Sequence, residues 1–343
     1  MTPAEEAIRA EIERAGGRIP FSRFMELCLY HPAHGYYVRR GPGRDFYTAP
    51  QATPVFGELL CRQLAEMWQR LGSPSRFDVV DVGAGKGELL DAIYEEARRT
   101  PGFSEAFCPV AVEPHGKLSR GKTLEQIPKE SLTGCVLSNE LFDAQPVHRL
   151  RAVRGAWREV HVIVRDGKLR SVLGDLTPEA RAYLAWMGIE PADGLQLEVA
   201  PGAPALLRRV AALLSRGYVL TIDYGATTPE LLERGSTLRC FFAHRPGDDP
   251  LAEPGEQDLT ADVDFASLEK AGEEEGLVNL GLVSQGRFLL ALGGAERVVA
   301  SADAGTQLAL KNLLHPAGMG ERFRVLVQAK RAPGPLTGLR PLG

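Results

Sequence analysis

The chain lacks the cysteine and histidine patterns that mark disulfide-rich and metal-binding proteins. Its 343 residues include five cysteines, an odd number with no CxxC pair. This argues against a disulfide framework and against a zinc site of the CxxC type. The seven histidines are scattered and form no metal-ligand pair such as HExxH. We therefore expect no metal site.

An excess of positive charge and long apolar runs are also missing. Lys and Arg number 40 against 44 Asp and Glu, a net charge of −4, which is too acidic for a general nucleic-acid surface. No apolar run reaches the roughly 18 residues that a membrane-spanning helix needs. The first residues, MTPAEEAIRAEIERAGG, resemble neither a secretory signal nor a transit peptide. We expect a cytoplasmic protein with no nucleic-acid partner and no membrane insertion.

One stretch, FDVVDVGAGKGELLD at residues 77–91, has glycine at three alternate positions. Its first part has the apolar density of a strand buried on both faces, and the residues after Glu88 have helical spacing. Gly83, Gly85 and Gly87 fill the turn between them. Glycines there permit positive φ and let a ligand approach the main chain. A strand, glycine turn and helix in this order are typical of a nucleotide pocket.

The spacing of this turn separates the possible ligands. A dinucleotide site would have glycine or alanine at position 88, where this chain has Glu88, and a P-loop would have Ser or Thr after Lys86. NAD, FAD and ATP are therefore disfavoured. What remains is acid-x-G-x-G-x-G, with Asp81 two residues before Gly83, which resembles the first motif of class I S-adenosyl-L-methionine (AdoMet) methyltransferases. A tight turn without a ligand is the alternative.

Two further apolar runs end in polar residues. The first, at residues 108–113, ends in Glu113, at the position where an acid holds the ribose hydroxyls in nucleotide-binding folds. A solvated glutamate is the alternative there. The second, at residues 134–139, is predicted to lie across the switch point from the glycine turn, so that Asn139 and Glu140 face the ligand. A strand between these two runs is hard to see, and KTLEQI at 122–127 is the predicted remnant.

The order of predicted strands and helices indicates an α/β fold, a Rossmann-like doubly wound sheet of about seven strands as in class I methyltransferases. We predict one methyltransferase domain over residues 1–343. It comprises an N-terminal helical or lid region (1–72), a core (77–146 and 203–330) and an inserted α+β substrate subdomain (147–202). The insertion begins with alternating residues and two glycine turns, which predict a three-stranded meander over residues 147–174.

Long segments throughout the chain resemble the MidA-like family of AdoMet-dependent methyltransferases. They include FMELCLYHPAHGYY, GRDFYTAPQATPVFGELL, DVGAGKGELL, VLSNELFDAQPVHR, LTIDYG, DLTADVDF and GMGERFRVL. Mitochondrial members of that family methylate a protein arginine during respiratory complex I assembly, so the resemblance implies AdoMet as cofactor and a protein arginine as acceptor. The chain departs from the family pattern at Arg44, where glycine is usual, and in the DVGAGKG motif, where the family has ELGPGxG.

Methyl transfer is an in-line displacement, so it depends chiefly on alignment and on the exclusion of water. The loop at residues 35–54, rich in Gly, Pro and aromatics, is suited to cover the cofactor. The resemblance suggests that Asp45 and Thr48 contact its methionyl end. Local turn capping is the alternative for Asp45.

An arginine acceptor adds a requirement for carboxylates. A guanidinium has a pKa above about 12 and stays charged, so an acid must orient it. Glu140 and Asp143 would share a face if NELFDA were helical, and we predict both as catalytic, with Glu198 as a third carboxylate nearby. Asp143 as a helix cap or turn residue is the alternative.

Two other functions are compatible with the sequence. One is a methyltransferase acting on a small molecule, and the other is a non-catalytic assembly factor that retains the AdoMet pocket. Transfer of labelled methyl groups onto protein would separate the three.

Overall fold

The computed structural model describes residues 1–40, 53–113, 121–242 and 245–341. Asp45 and Thr48 lie outside these ranges. Residue contacts divide the chain into two compact units. The first unit comprises Met1–Phe46, Phe142–Ala205 and Gly225–Ser267, and the second comprises Tyr47–Leu141, Leu206–Tyr224 and Leu268–Gly343.

The described ranges contain the following helices and strands. The helices are α1 (Pro3–Arg14), α2 (Phe21–Tyr30), α3 (Tyr36–Arg40), α4 (Pro54–Arg70), α5 (Glu88–Ala97), α6 (Phe103–Ala106), α7 (Pro178–Met187), α8 (Gly202–Leu213), α9 (Thr228–Arg234), α10 (Phe265–Glu274), α11 (Gln285–Ala291), α12 (Gly294–Ala300) and α13 (Ala304–Leu314). The strands are β1 (Arg18–Pro20), β2 (Phe77–Val82), β3 (Phe107–Val112), β4 (Leu132–Asn139), β5 (His148–Val153), β6 (Ala156–Arg165), β7 (Lys168–Gly174), β8 (Gln196–Val199), β9 (Leu214–Ala226), β10 (Arg239–Phe242), β11 (Arg245–Gly247), β12 (Asp258–Thr260), β13 (Val263–Asp264), β14 (Val278–Ser284) and β15 (Phe323–Lys330).

The second unit is built on a mixed sheet with the strand order β14-β15-β9-β4-β2-β3. Strands β3, β2, β4 and β9 run parallel, whereas β15 is antiparallel to β9 and β14 is antiparallel to β15. The predicted α/β fold with a doubly wound sheet is confirmed. Because β2 lies between β3 and β4, the carboxyl ends of these three parallel strands meet at one edge, where ligands bind in such sheets.

Helix α4 covers one face of this sheet because its apolar residues recur at helical spacing. Thr53 caps its N-terminus, its Oγ1 accepting the Val55 N–H at 3.2 Å, and Pro54 occupies the first turn. The buried side chains of α4 that share the core with the sheet are Phe56, Leu59, Leu60, Leu64 and Met67. Full burial of a large apolar side chain stabilises by about 1.5–3 kcal/mol, so this helix is firmly fixed on the sheet.

The predicted strand remnant at residues 122–127 is wrong. Only Lys122 pairs with the sheet, through an isolated bridge to Val112. The chain then forms a 3₁₀ turn over Leu124–Gln126, because Gln126 Oε1 accepts the Thr123 N–H at 2.9 Å. This capping box favours helical geometry over extension.

The first unit contains two smaller sheets. One has the order β1-β6-β5-β8 with β7 paired to β6, and the other has the order β11-β10-β12. Strands β5, β6 and β7 form the predicted meander. Its two hairpin turns place Arg154-Gly155 and Asp166-Gly167 at positive φ, the conformation of type I′ turns. In the part of the chain that the structure describes, no helix is both long and apolar enough to cross a membrane.

Candidate cofactor and active site

The glycine turn between β2 and α5 has the conformation that its sequence predicts. Gly83, Gly85 and Gly87 have φ values of +82°, +57° and +86°, which residues with a Cβ rarely adopt. The Gly83 N–H donates to the Val112 carbonyl at 2.8 Å, so the turn is tied to the end of β3. Helix α5 then begins at Glu88 without a side-chain cap, and its first N–H groups are oriented towards this turn.

Glu113, the acid that follows β3, reaches the glycine turn. Its Oε2 accepts the Gly85 N–H at 2.9 Å. The structure therefore brings the predicted ribose-binding acid and the predicted cofactor turn together. The alternative of a solvated glutamate does not account for this contact.

Asp81 lies on β2 just below the turn and is only 2% exposed. Burial, and after it the nearby negative charge of Glu113, raises the pKa of the Asp81 carboxyl to about 7. Burial disfavours the charged form of an acid, and a neighbouring carboxylate adds to that effect. A strongly raised carboxyl pKa beside a glycine turn is typical of a functional site.

The raised pKa makes a prediction for stability. The folded protein keeps the Asp81 proton up to about pH 7, whereas the unfolded chain loses it near pH 4. The contribution of this proton to the free energy of unfolding is therefore fully present below about pH 4 and is lost as the pH rises through about 7. Asp81→Asn cannot ionise, so we expect the unfolding free energy of the cofactor-free variant to exceed that of the wild type by roughly 2–4 kcal/mol at pH 8.

Urea unfolding at several pH values checks this prediction. The advantage of Asp81→Asn should grow between about pH 5 and pH 8. A difference that does not change with pH would show that Asp81 is not the group that titrates.

Asn139, at the end of β4, faces the same side of the sheet as Asp81. Asp81 pairs with Leu137 of β4 and with Ala111 of β3, and side chains two residues apart on a strand share a face. Asp81, Glu113 and Asn139 are therefore on one face at the carboxyl edge. The Oδ1 atom of Asn139 is buried and has no hydrogen-bond partner among the described residues, which marks it as an acceptor for a ligand.

Glu140 directly follows Asn139 and has a left-handed backbone, with φ of +54°. Its N–H donates to the Ile222 carbonyl of β9 at 3.0 Å, and its Oε1 accepts from Asn139 Nδ2 at 3.1 Å. A non-glycine residue in this conformation costs on the order of 1–3 kcal/mol, and such residues cluster at functional sites.

The segment NELFDA is not helical, so the condition under which Glu140 and Asp143 would share a helical face is not met. The Leu141 N–H, which a helix would leave for its own carbonyls, donates instead to Asp223 Oδ2 at 3.1 Å. Together with the left-handed Glu140, this contact turns the chain away from helical geometry. Asp143 belongs to the first unit, where it is buried and its carbonyl accepts the Ala261 N–H at 3.0 Å.

The carboxylate of Glu198 is held by hydrogen bonds and an ion pair within the first unit. It accepts from Ser236 Oγ at 2.7 Å and from the Thr237 N–H at 2.8 Å, and it pairs with Arg149 at 3.4 Å. These contacts tie β8 and β5 to the chain after α9. They explain the burial of Glu198 without a role in acceptor binding.

Asp223, which is fully buried near the end of β9, is not among the residues predicted from the sequence. Its two carboxylate oxygens accept the N–H groups of Leu141 and Tyr224. The pattern that identified Glu113, an acid at the end of an apolar strand, would also have identified Asp223.

The residues at this edge of the sheet fit AdoMet. The carboxyls of Asp81 and Glu113 and the Oδ1 of Asn139 are acceptors, and AdoMet offers ribose hydroxyls, amino groups and a positively charged sulfur. The N–H groups at the start of α5 suit its carboxylate. The glycine turn leaves the main chain open to approach, and a Cβ built on Gly87 would meet nothing within 4 Å.

Comparison with known proteins agrees with this fit. Residues 59–283 match the model of the family described as "Putative S-adenosyl-L-methionine-dependent methyltransferase". The chain belongs to this family, and it is an AdoMet-dependent methyltransferase.

The relatives add detail. A Drosophila melanogaster protein named "Protein arginine methyltransferase NDUFAF7 homolog, mitochondrial" is 32% identical, and the match covers 93% of this chain and 83% of that protein. The human protein named "Protein arginine methyltransferase NDUFAF7, mitochondrial" is 29% identical over 90% of this chain and 80% of its own length. A crystal structure of a Burkholderia thailandensis protein bound to S-adenosyl-homocysteine has 32% identity and a TM-score of 0.84, covering 98% of this chain and 94% of that one.

These names contradict the expected cytoplasmic location. Both named relatives are described as mitochondrial. The expectation was wrong because it rested on the composition of the first residues alone.

Glu113 is held beside the glycine turn by the Gly85 N–H, and we predict that its carboxylate also accepts hydrogen bonds from the ribose of AdoMet. Hydrogen bonds to a charged acceptor are worth about 1.5–3 kcal/mol, so Glu113→Ala should weaken AdoMet binding by roughly ten- to a hundredfold. Titration calorimetry measures this directly. An unchanged dissociation constant would mean that the ribose is held elsewhere.

Proposed function

We propose that this methyltransferase acts on an arginine side chain of a protein, and that Glu140 orients the guanidinium. The observation that carries the proposal is the fixed position of Glu140. It follows Asn139, which is predicted to face the cofactor, and its backbone and side chain are held by Ile222 and Asn139. The names of the relatives, which are protein arginine methyltransferases, support the same acceptor.

Charge complementarity is the physical basis. A guanidinium offers five N–H donors in a planar fork that matches a carboxylate. A carboxylate that is fixed before the acceptor arrives loses little entropy on binding it, and alignment of this kind is the main source of catalysis in a displacement. Bound AdoMet supplies the methyl group on a positively charged sulfur. Glu140 would hold the accepting nitrogen in line with it.

Asp143 remains a proposed second carboxylate. Asp143 lies near Tyr37 in the first unit. The pKa of the Tyr37 phenol is raised chiefly by burial, then by the charges of Asp258 and Tyr30, and also by the charge of Asp143. The resemblance to the MidA-like family extends the proposal to an acceptor protein that takes part in respiratory complex I assembly.

Methyl transfer from radiolabelled AdoMet tests the proposed function. The purified protein is incubated with labelled AdoMet and a protein extract, and label is counted in the protein and small-molecule fractions. We expect label in protein, and mass spectrometry should place it on an arginine nitrogen. Label confined to small molecules, or binding without any transfer, would overturn the arginine assignment in favour of a metabolite acceptor or a non-catalytic role.

A further inference from the structure

Asp223 lies in the segment LTIDYG, which contains none of the residues proposed above for catalysis. It is 0% exposed, and a buried carboxylate is retained only where it is well hydrogen-bonded or paired. Its Oδ1 accepts the Tyr224 N–H at 2.9 Å, and its Oδ2 accepts the Leu141 N–H at 3.1 Å. Asp223 pairs across the strands with Arg324 of β15, so a cation stands opposite this acid.

The side chain of Asp223 is not on the cofactor face of the sheet. Asn139 pairs with Ile222 of β9, and neighbouring residues on a strand point to opposite faces. Asp223 therefore acts from the far side, through the backbone of the turn that follows β4. That turn contains Glu140, whose N–H is bound by Ile222.

The turn held by Asp223 also packs on the cofactor turn. A Cβ built on Gly83 would lie 2.9 Å from Leu141 Cδ1, so the Leu141 side chain rests directly against the first glycine. The Leu141 N–H is the one that Asp223 accepts. A single carboxylate thus sets the backbone at Leu141, and Leu141 in turn bounds the space above Gly83.

We propose that Asp223 is a positioning residue for AdoMet binding, acting through Leu141 on the glycine turn and through the same turn on Glu140. The inference depends on AdoMet binding and not on the identity of the acceptor. It therefore stands or falls independently of the arginine assignment.

Calorimetry with S-adenosyl-homocysteine tests the proposal on the 343-residue protein. Asp223→Ala leaves two partly buried N–H groups without this acceptor, at a cost of up to about 1–3 kcal/mol each, and the turn should relax to find other partners. We expect the dissociation constant for S-adenosyl-homocysteine to rise at least about tenfold. Asp223→Asn keeps one carbonyl acceptor and should lie between the wild type and Asp223→Ala.

Asp78 provides a matched control in the same unit. It is buried at the start of β2, and its carboxylate pairs with Arg76 at 2.8 Å and accepts the Thr133 N–H at 3.2 Å. Asp78→Ala should therefore lower the midpoint of thermal unfolding as Asp223→Ala does. Its dissociation constant for S-adenosyl-homocysteine should stay within about threefold of the wild-type value, because its contacts lie at the opposite end of the strands.

Two further measurements keep the proposal open to refutation if Asp223→Ala does not fold. Hydrogen exchange of the Leu141 amide should be faster in Asp223→Asn than in the wild type. Leu141→Ala keeps the backbone hydrogen bonds but removes the contact with Gly83, and should weaken S-adenosyl-homocysteine binding about three- to tenfold. Wild-type affinity in both Asp223→Asn and Leu141→Ala, or an equal loss in Asp78→Ala, would overturn the proposal.

Discussion

Gly85→Val should abolish measurable AdoMet binding while the central sheet stays folded. Gly85 has φ of +57°, where a β-branched residue is strained by on the order of 1–3 kcal/mol. Its N–H is the one that Glu113 accepts, and a shift of the turn would break this charge-assisted bond, worth about 1.5–3 kcal/mol more. The valine side chain would also occupy space that the cofactor needs. Together these effects predict at least a hundredfold loss of affinity by calorimetry, since about 1.4 kcal/mol is a factor of ten.

Gly155 provides the control for backbone strain. It lies in the hairpin turn between β5 and β6 with φ of +70°, and a Cβ there would meet nothing within 4 Å. Gly155→Val should cost similar strain and leave AdoMet affinity unchanged. A folded Gly85→Val protein that binds AdoMet normally would contradict the assignment of the cofactor turn.

Glu140→Gln should lower methyl transfer to protein arginine by at least about a hundredfold and leave AdoMet affinity nearly unchanged. Glutamine keeps the shape of the side chain but removes the negative charge, so the charge-assisted pair with a guanidinium is lost. Loss of one preorganised electrostatic contact in an active site typically costs about 2.7–4 kcal/mol. Initial rates with labelled AdoMet give the first quantity, and calorimetry gives the second.

Glu130 offers a close match for this experiment. It is also a glutamate at positive φ, +53°, in the same unit. Its carboxylate pairs with Lys330 at 3.0 Å and its N–H donates to the Ala212 carbonyl, so it belongs to the amino end of the parallel strands. Glu130→Gln should leave methyl transfer unchanged. Near-normal transfer in Glu140→Gln, or a methyl group found on an atom other than an arginine nitrogen, would refute the proposed role of Glu140.

The predicted elements around the glycine turn and in the meander, which depended on near neighbours in the chain, were correct. The strand from Phe77 to Val82, the helix that begins at Glu88 and the meander of β5 to β7 follow from periodicity and turn glycines. The segment NELFDA is not helical, because a residue far along the chain accepts the Leu141 N–H. Leu141 and Asp223 are 82 positions apart, and no local pattern reveals that contact.

The class of protein and the position of the cofactor turn could be predicted from the sequence. A buried strand, three glycines at alternate positions and a helix are local features, and their spacing disfavoured NAD, FAD and ATP. The assembly of the site, by contrast, depends on tertiary contacts. The pairing of β3, β2 and β4 sets Glu113 and Asn139 on the face of Asp81, and burial beside Glu113 raises the Asp81 pKa. Both properties depend on the distances between residues that are remote in sequence and on their burial. These distances and this burial exist only after the strands have paired.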